Sequence, residues 1–299
     1  MTNTLFDAAV WEQAWQEDEH TPVNKMRKAG INPARSFDTK AQTFDREVFS
    51  EAGRKRARRI IGWLEDQGVV LEGAKILDIG AASGGFAVPF AEKGAHVTAV
   101  ETSPPLVEML EARRASLSRG SIDIVAEPFE ELDLEARGWL QSFDLVFVSM
   151  CPVIVDWASV QRVLSCARDY CYMSLSVGGR EHSLFDEVWP LVSSSIRTHE
   201  NLEMSYLMNL LLLHGYAYQS LVTREMKTTE LPAVAALEEV LSLLKMYDIP
   251  ADERVRGIVT DHLERSYPQG PVTISQGGRF GKVLVRLSDQ RMYSREERD

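Results

Sequence analysis

Between residues 75 and 178, short apolar runs and helical segments alternate so regularly that few folds remain open to the chain. The runs "KILDIG", "HVTAV", "SIDIVA", "FDLVFVSM" and "YCYMSLSV" each read as a strand with no solvated face. Such strands belong to sheets covered by helices on both sides. The intervening "GGFAVPFAEKG", "SPPLVEMLEARR" and "WASVQRVLSCARD" supply the helices. Strand, crossover helix and next strand in repetition specify an open parallel α/β sheet. Upstream, Phe44, Val48, Phe49, Ala52, Ile60, Ile61 and Leu64 recur at roughly helical intervals, which predicts a helix leading into the core within residues 38–67.

After about residue 180 the rhythm changes. "LEMSYLMNLLLLHG" reads as helix, "YAYQSLVTREM" as extended chain, and "AVAALEEVLSLLKMY" and "ADERVRGIVTDHLERSY" as two successive helices. The stretch "PVTISQGGRFGKVLVRL" reads as two extended runs around a turn at Gly277 and Gly278, which predicts a terminal antiparallel pairing behind a helical insertion. Val234, Leu237, Leu241 and Leu244 form one apolar stripe. Packing within the chain is the favoured reading of that stripe; a lid or a homodimer surface is the other. The charged tail "DQRMYSREERD" is expected to fray.

The formal charge of -11 argues against binding a nucleic-acid backbone, which depends on clustered Lys and Arg. The single basic run, "RKRARR" at 54–59, reads as the solvated face of a helix. Cys151, Cys166 and Cys171 lack the paired spacing of a zinc site and suggest neither a metal nor a disulfide framework, so a reducing cytoplasm is expected. No signal-peptide pattern opens the chain. The greasiest stretch, residues 206–218, is interrupted by Asn209 and His214 and falls short of the ~20 residues that span a bilayer.

At the end of the first strand, Gly80, Ala82, Ser83, Gly84 and Gly85 let backbone approach a ligand closely. The spacing fits a dinucleotide fingerprint only if Ala82 stands for the second glycine. Asp78, two residues before the first glycine, opposes a diphosphate there, since like charges a few ångströms apart cost on the order of several kcal/mol at an effective dielectric near 20. A cationic ligand reverses that sign. Glu101, closing the second strand, lies where open sheets bind ligands and can accept both hydroxyls of a ribose.

"LDIGAASGG" resembles the first motif of the class I S-adenosylmethionine-dependent methyltransferases, with Asp78, Gly80 and Gly84 matching and Ala82 in place of the usual middle glycine. The resemblance covers roughly residues 55–180. It implies a Rossmann-like fold with a seven-stranded, mostly parallel sheet ending in an antiparallel hairpin. Four regions follow: an N-terminal helical extension or cover over 1–54, the core over 55–225, a helical insertion over 226–270, and terminal strands with the tail over 271–299. The resemblance also implies S-adenosyl-L-methionine as cofactor, held by Asp78, Gly80, Ala82, Ser83, Gly84, Glu101, Thr102, Glu127, Phe129 and Ser149. Glu127 and Phe129 would meet the adenine. Phe37, Phe44 and Asp45 would cover the cofactor.

On the acceptor side, "SMCPVIVDW" differs from the Asn-Pro-Pro-Tyr type that methylates planar nitrogens. Met150, Cys151, Tyr206 and His214 are the expected substrate-side residues, and His182 and Asp156 the candidate bases if the acceptor arrives protonated. Trp11 and Trp15, four apart, read as anchors of the N-terminal segment. The reading is methyl transfer to the oxygen, sulfur or nitrogen of a small molecule, with neither nucleic acid nor membrane as partner. Its rivals are an NAD-dependent oxidoreductase and a noncatalytic module that holds a protein partner.

Overall fold

The computed structural model describes residues 4–28, 30–195, 201–268 and 270–288. The tail expected to fray, 289–299, lies outside them. In chain order the elements are α1 (Ala8–Glu17), α2 (Pro22–Lys28), α3 (Ala41–Val48), α4 (Glu51–Asp66), β1 (Lys75–Ile79), α5 (Ala87–Glu92), β2 (His96–Val100), α6 (Pro104–Arg114), β3 (Ser121–Val125), β4 (Phe143–Ser149), α7 (Trp157–Cys166), β5 (Ala167–His182), α8 (Ser183–Val192), α9 (Glu203–Leu213), β6 (Ala217–Leu231), α10 (Ala233–Met246), α11 (Glu253–Ser266) and β7 (Val272–Arg286).

The seven strands form one sheet in the order β3-β2-β1-β4-β5-β7-β6. β1 to β5 run parallel, and β7 is antiparallel to both of its neighbours. This is the class I methyltransferase fold with terminal antiparallel strands. The order reverses between β1 and β4, and ligands of open α/β sheets bind outside the carboxyl ends of the strands at such a point.

Alternation along β1 shows how the two faces are built. Leu77 and Ile79 enter a core with Trp15, Val146, Val148, Trp157 and Leu207. Ile76 enters the opposite core with Ile61, Leu64, Phe90 and Phe147. By the two-residue period of a strand, Asp78 shares the face of Ile76. A third cluster, built by α8, α10 and α11 with Val272 and Ile274, packs on the far end of β7. In α10 its buried members are Ala236, Val240, Leu241, Leu243 and Leu244, whereas Val234 is 75% exposed. The apolar stripe therefore faces this lobe only in part.

Two predicted elements differ. The helix expected within 38–67 is broken in two, because Ser50 takes an extended backbone and its side chain accepts from Gly53 N, starting α4 afresh. The turn expected at Gly277 and Gly278 is absent: β7 runs straight through, paired with β6 from Val272 to Arg286. A Cβ on Gly277 would lie 2.0 Å from the Glu225 carbonyl oxygen, so that glycine permits close strand approach rather than chain reversal. The antiparallel pair is β6 and β7, joined through α10 and α11.

Candidate cofactor site

Beyond the carboxyl ends of β1, β2 and β4 lies a cleft of about 410 Å³, lined among others by Gly80, Ala82, Glu101, Thr102, Phe129, Ser149, Met150 and Cys151. Its floor is the β1–α5 turn. Gly80 N and Ala81 N both donate to the Val100 carbonyl, at 2.9 and 3.0 Å, which fastens the turn to the end of β2. Gly80 sits at φ +75, and a Cβ there would come within 2.5 Å of Cys151 Sγ. No other residue type fits both restraints. Ala82 also occupies the left-handed region, at φ 51, and so does Met150 on the opposite wall, at φ 54. Strained backbone of this kind persists where the surroundings fix it, often at ligand sites.

Glu101 is the anionic centre of the cleft. Its Oε2 accepts from Ala82 N at 2.8 Å, and its Oε1 accepts from Thr102 N and Ser103 N, both at 2.8 Å. A carboxylate offers about four acceptor positions. Three are used, which leaves one on Oε2.

Asp78 occupies a different place from the one its sequence position suggested. It is absent from the cleft lining, 2% exposed, and its Oδ2 has no hydrogen-bond partner. Burial, with the Glu101 charge second, pushes its carboxyl up to about 8, against a hydrogen bond from the Ala87 backbone. At neutral pH Asp78 is therefore largely protonated, and the negative field expected of it belongs to Glu101. Ser83, buried with an unpartnered hydroxyl, and Gly84, packed beneath Leu110, also stand behind the lining.

Along the loop after β3, Phe129 is 2% exposed and walls the cleft, fixed by Arg162, which donates to its carbonyl and stacks over its ring at 5.3 Å. Glu127 instead faces solvent and pairs with Arg137 at 2.6 Å; the carboxylate of this loop that lines the cleft is Glu130.

The N-terminal segment, expected as a cover, reaches the cleft with residues ahead of Phe37 as well. Val23, Arg27, Asn32, Pro33 and Ala34 line the cleft together with Phe37 and Phe44, whose rings lie 4.8 Å apart. Asn32 makes the signal readable in retrospect, because its side chain accepts from Ala34 N and starts a short turn with Pro33. Arg35 donates to the Thr102 carbonyl, and Thr102 Oγ1 donates to the Ala34 carbonyl, tying cover to sheet. Asp45 is not in the lining; it pairs with Arg113, which also donates to the Ser83 carbonyl.

Four substrate-side expectations give way to other placements. Asp156 caps α7 in a reciprocal box with Ser159. His182 is the last residue of β5 and caps α8 by accepting from Phe185 N; burial lowers its pKa, opposed by Glu239. Tyr206 stacks on Trp15 at 5.8 Å, so the tryptophan anchors α1 against α9. His214 stacks on Trp157 at 4.6 Å and bonds Glu12. None of the four lines the cleft. Cys151 does, but burial pushes its thiol up to about 12, which removes it as a nucleophile.

Residues 76–171 match the family model for a methyltransferase domain. No curated protein matches the chain. Among solved structures, the YcgJ protein of Bacillus subtilis is similar at 12% identity and TM-score 0.50, over 78% of this chain and 100% of that one. The magnesium protoporphyrin IX methyltransferase of Synechocystis with bound SAH is similar at 12% identity and TM-score 0.48, over 84% and 95%. An S-adenosylmethionine-dependent methyltransferase from Mesorhizobium loti is similar at 17% identity and TM-score 0.42, over 75% and 96%. No described helix is long and apolar enough to cross a membrane.

Proposed function

We propose that the chain, whose residues 76–171 match the model for a methyltransferase domain on a class I fold, binds S-adenosyl-L-methionine in the cleft and transfers its methyl group to a small molecule. The observation that carries this reading is the paired arrangement of the Gly80–Ala82 turn and Glu101 at the point where strand order reverses.

The residues present suit the cofactor. Glu101 keeps an acceptor position on Oε2 for a ribose hydroxyl, Phe129 offers an apolar wall for a purine, and the bare Cα of Gly80 leaves room for close approach. Two buried polar atoms behind the turn, Asp78 Oδ2 and Ser83 Oγ, lack partners among the described residues. When bound, the cofactor supplies a methyl carbon on a sulfonium: a lone pair of the acceptor forms the new bond as the carbon–sulfur bond breaks and S-adenosylhomocysteine departs.

This chain's own contribution is placement and exclusion of water. The aromatic pair Phe37 and Phe44 closes one side, and Met150, Cys151, Pro152 and Val153 the other. Orientation of this kind is worth on the order of 7–11 kcal/mol in favourable cases. Asp156 and His182, the two candidate bases, are engaged as helix caps and stand outside the cleft lining.

Calorimetry tests the reading. S-adenosylhomocysteine is expected to bind in the micromolar range, ~-8 kcal/mol, and NAD not at all. NAD binding without S-adenosylhomocysteine binding would replace it with the oxidoreductase reading.

A further inference from the structure

A second cavity of about 780 Å³ adjoins the cleft, and nothing in the proposed cofactor chemistry uses it. The two cavities share walls. On α2, Val23 faces the cleft while Pro22 and Lys25 face the second cavity; on α3, Phe44 faces the cleft and Glu47 the second cavity. The remaining walls come from the first half of α4, the end of β5, the midpoints of β6 and β7, and Met246 with Tyr247 at the end of α10.

Its charge runs against the rest of the molecule. The whole chain has 33 Lys and Arg against 44 Asp and Glu. This lining has eight Lys and Arg against two Glu. Five of the eight are engaged: Arg59 with Glu225, Lys227 with Glu47, Arg224 with Glu181, Arg180 with Glu239, and Lys25 over the Tyr247 ring. The other three, Lys55, Arg56 and Arg279, make no hydrogen bond or ion pair among the described residues. Lys55 and Arg56 belong to the run "RKRARR", whose sequence reading was a solvated face; the fold turns part of that face into a wall.

Two further features point the same way. Ser50, Ala52 and Gly53 bring the start of the 16-residue helix α4 to the cavity, and the amino end of a helix favours negative charge. Below the lining, Lys282 is 5% exposed and donates to Thr223 Oγ1 at 2.6 Å. Its pKa is lowered by burial first, raised by Glu225, and lowered again by Arg59 and Arg56, as expected where positive potential accumulates. A concave wall lined by one sign of charge concentrates ligands of the other sign. Phe280, Met226 and Tyr247 add apolar and aromatic surface to the same cavity.

We propose that this basin binds the anionic end of the methyl acceptor, a small molecule with more than one carboxylate or phosphate oxygen and an apolar body, with Arg56, Arg279 and Lys55 as its unshared cations. The proposal rests on the methyltransferase reading for the word acceptor; the anion site itself does not. The shared walls of α2 and α3 put a molecule lodged here beside the cofactor cleft.

The test uses the full chain and three probes at constant ionic strength: citrate for carboxylates, pyrophosphate for phosphates, and a single-stranded oligonucleotide. The variants are the double Arg56→Gln with Arg279→Gln, both exposed and therefore compatible with folding, and Arg58→Gln, which lies on the same helix outside the lining. Citrate or pyrophosphate is expected to bind saturably to the wild type, at least tenfold more weakly to the double variant, and within twofold of wild type to Arg58→Gln. S-adenosylhomocysteine should bind wild type and double variant alike. Absence of saturable binding by either small anion, equal loss in Arg58→Gln, or tighter binding of the oligonucleotide than of both small anions overturns the proposal. Failure of S-adenosylhomocysteine to bind the wild type, with the anion result intact, overturns the cofactor reading and leaves an anion site without its acceptor role.

Discussion

The cleft and the basin are neighbours made by opposite means. Backbone makes the cleft: two strand ends, a turn with positive φ at Gly80 and Ala82, and a carboxylate held by three main-chain N–H groups. Long side chains make the basin, extending from α2, α4, β5, β6 and β7. A site written in backbone shares its energetics with the fold, so damage to it costs stability and binding together. One written in exposed side chains does not. Removing a cation that has no partner should alter stability by no more than ~0.5 kcal/mol, while binding changes tenfold.

The largest expected break in this contrast is Gly80→Val. The new Cβ would lie 2.5 Å from Cys151 Sγ and the backbone would be held at φ +75. Left-handed strain of ~1–2 kcal/mol and overpacking of ~1–3 kcal/mol together predict a loss of about 3 kcal/mol in urea unfolding, with S-adenosylhomocysteine binding lost alongside. If binding disappears while the unfolding midpoint stays put, the cleft is not coupled to the fold as argued.

Next comes Glu101→Gln, which keeps shape but replaces two acceptor oxygens with one. At least one of the three N–H groups from Ala82, Thr102 and Ser103 then faces an amide N–H, and a buried donor left without its acceptor costs ~1–3 kcal/mol. The predicted result is about 2 kcal/mol lost in denaturant unfolding together with weaker S-adenosylhomocysteine binding. The Arg56 and Arg279 double variant should show neither.

A smaller effect reads the buried carboxyls by pH. Burial pushes Asp78 up to about 8, and Glu203, buried at the start of α9, up to about 8 as well. Carboxyls in the unfolded chain titrate near pH 4. Between those values the folded state holds the extra protons, so these groups stabilise fully below about pH 4, and that contribution is lost as pH rises toward 8. Asp78→Asn removes one of them. Its melting temperature relative to wild type should rise by a few degrees between pH 5 and pH 8.5, and a difference that stays constant across that range would show that Asp78 carries no raised pKa inside it.

The same contrast governs what could be read from the chain. The strands, the glycine turn and the places of Glu101 and Phe129 in the cleft lining were legible because each is local: an apolar run, a spacing, a carboxylate at a strand end. Asp156 and His182 were legible as functional groups but not as caps, although Asp156 followed three residues later by Ser159 carries the capping pattern. Tyr206 and His214 misled because nothing in "YLMNLLLLHG" says which face of α9 meets Trp15 and Trp157. Gly277 and Gly278 were read as a turn because close strand approach and chain reversal both call for glycine. The basin was invisible, since Arg56 and Arg279 stand over two hundred residues apart and only the register of β7 against β5 and β6 brings them to one cavity.

The smallest predicted effect is the most direct measure of strain in the cleft. Ala82 holds φ 51 where the resemblance implies glycine, and its N–H is fixed by Glu101 Oε2 at 2.8 Å. Relief of the left-handed conformation in Ala82→Gly should return ~1–2 kcal/mol, offset by the ~0.5–1 kcal/mol of extra freedom that glycine brings to the unfolded chain. The net expectation is a stabilisation near 0.5 kcal/mol in urea unfolding, with the bond to Glu101 kept and S-adenosylhomocysteine bound at least as well. A loss of stability instead would mean that Ala82 is not strained and that its methyl packs usefully against the cover. In that case the cleft, like the basin, would depend on side chains, and the distinction between them would lie in burial rather than in backbone.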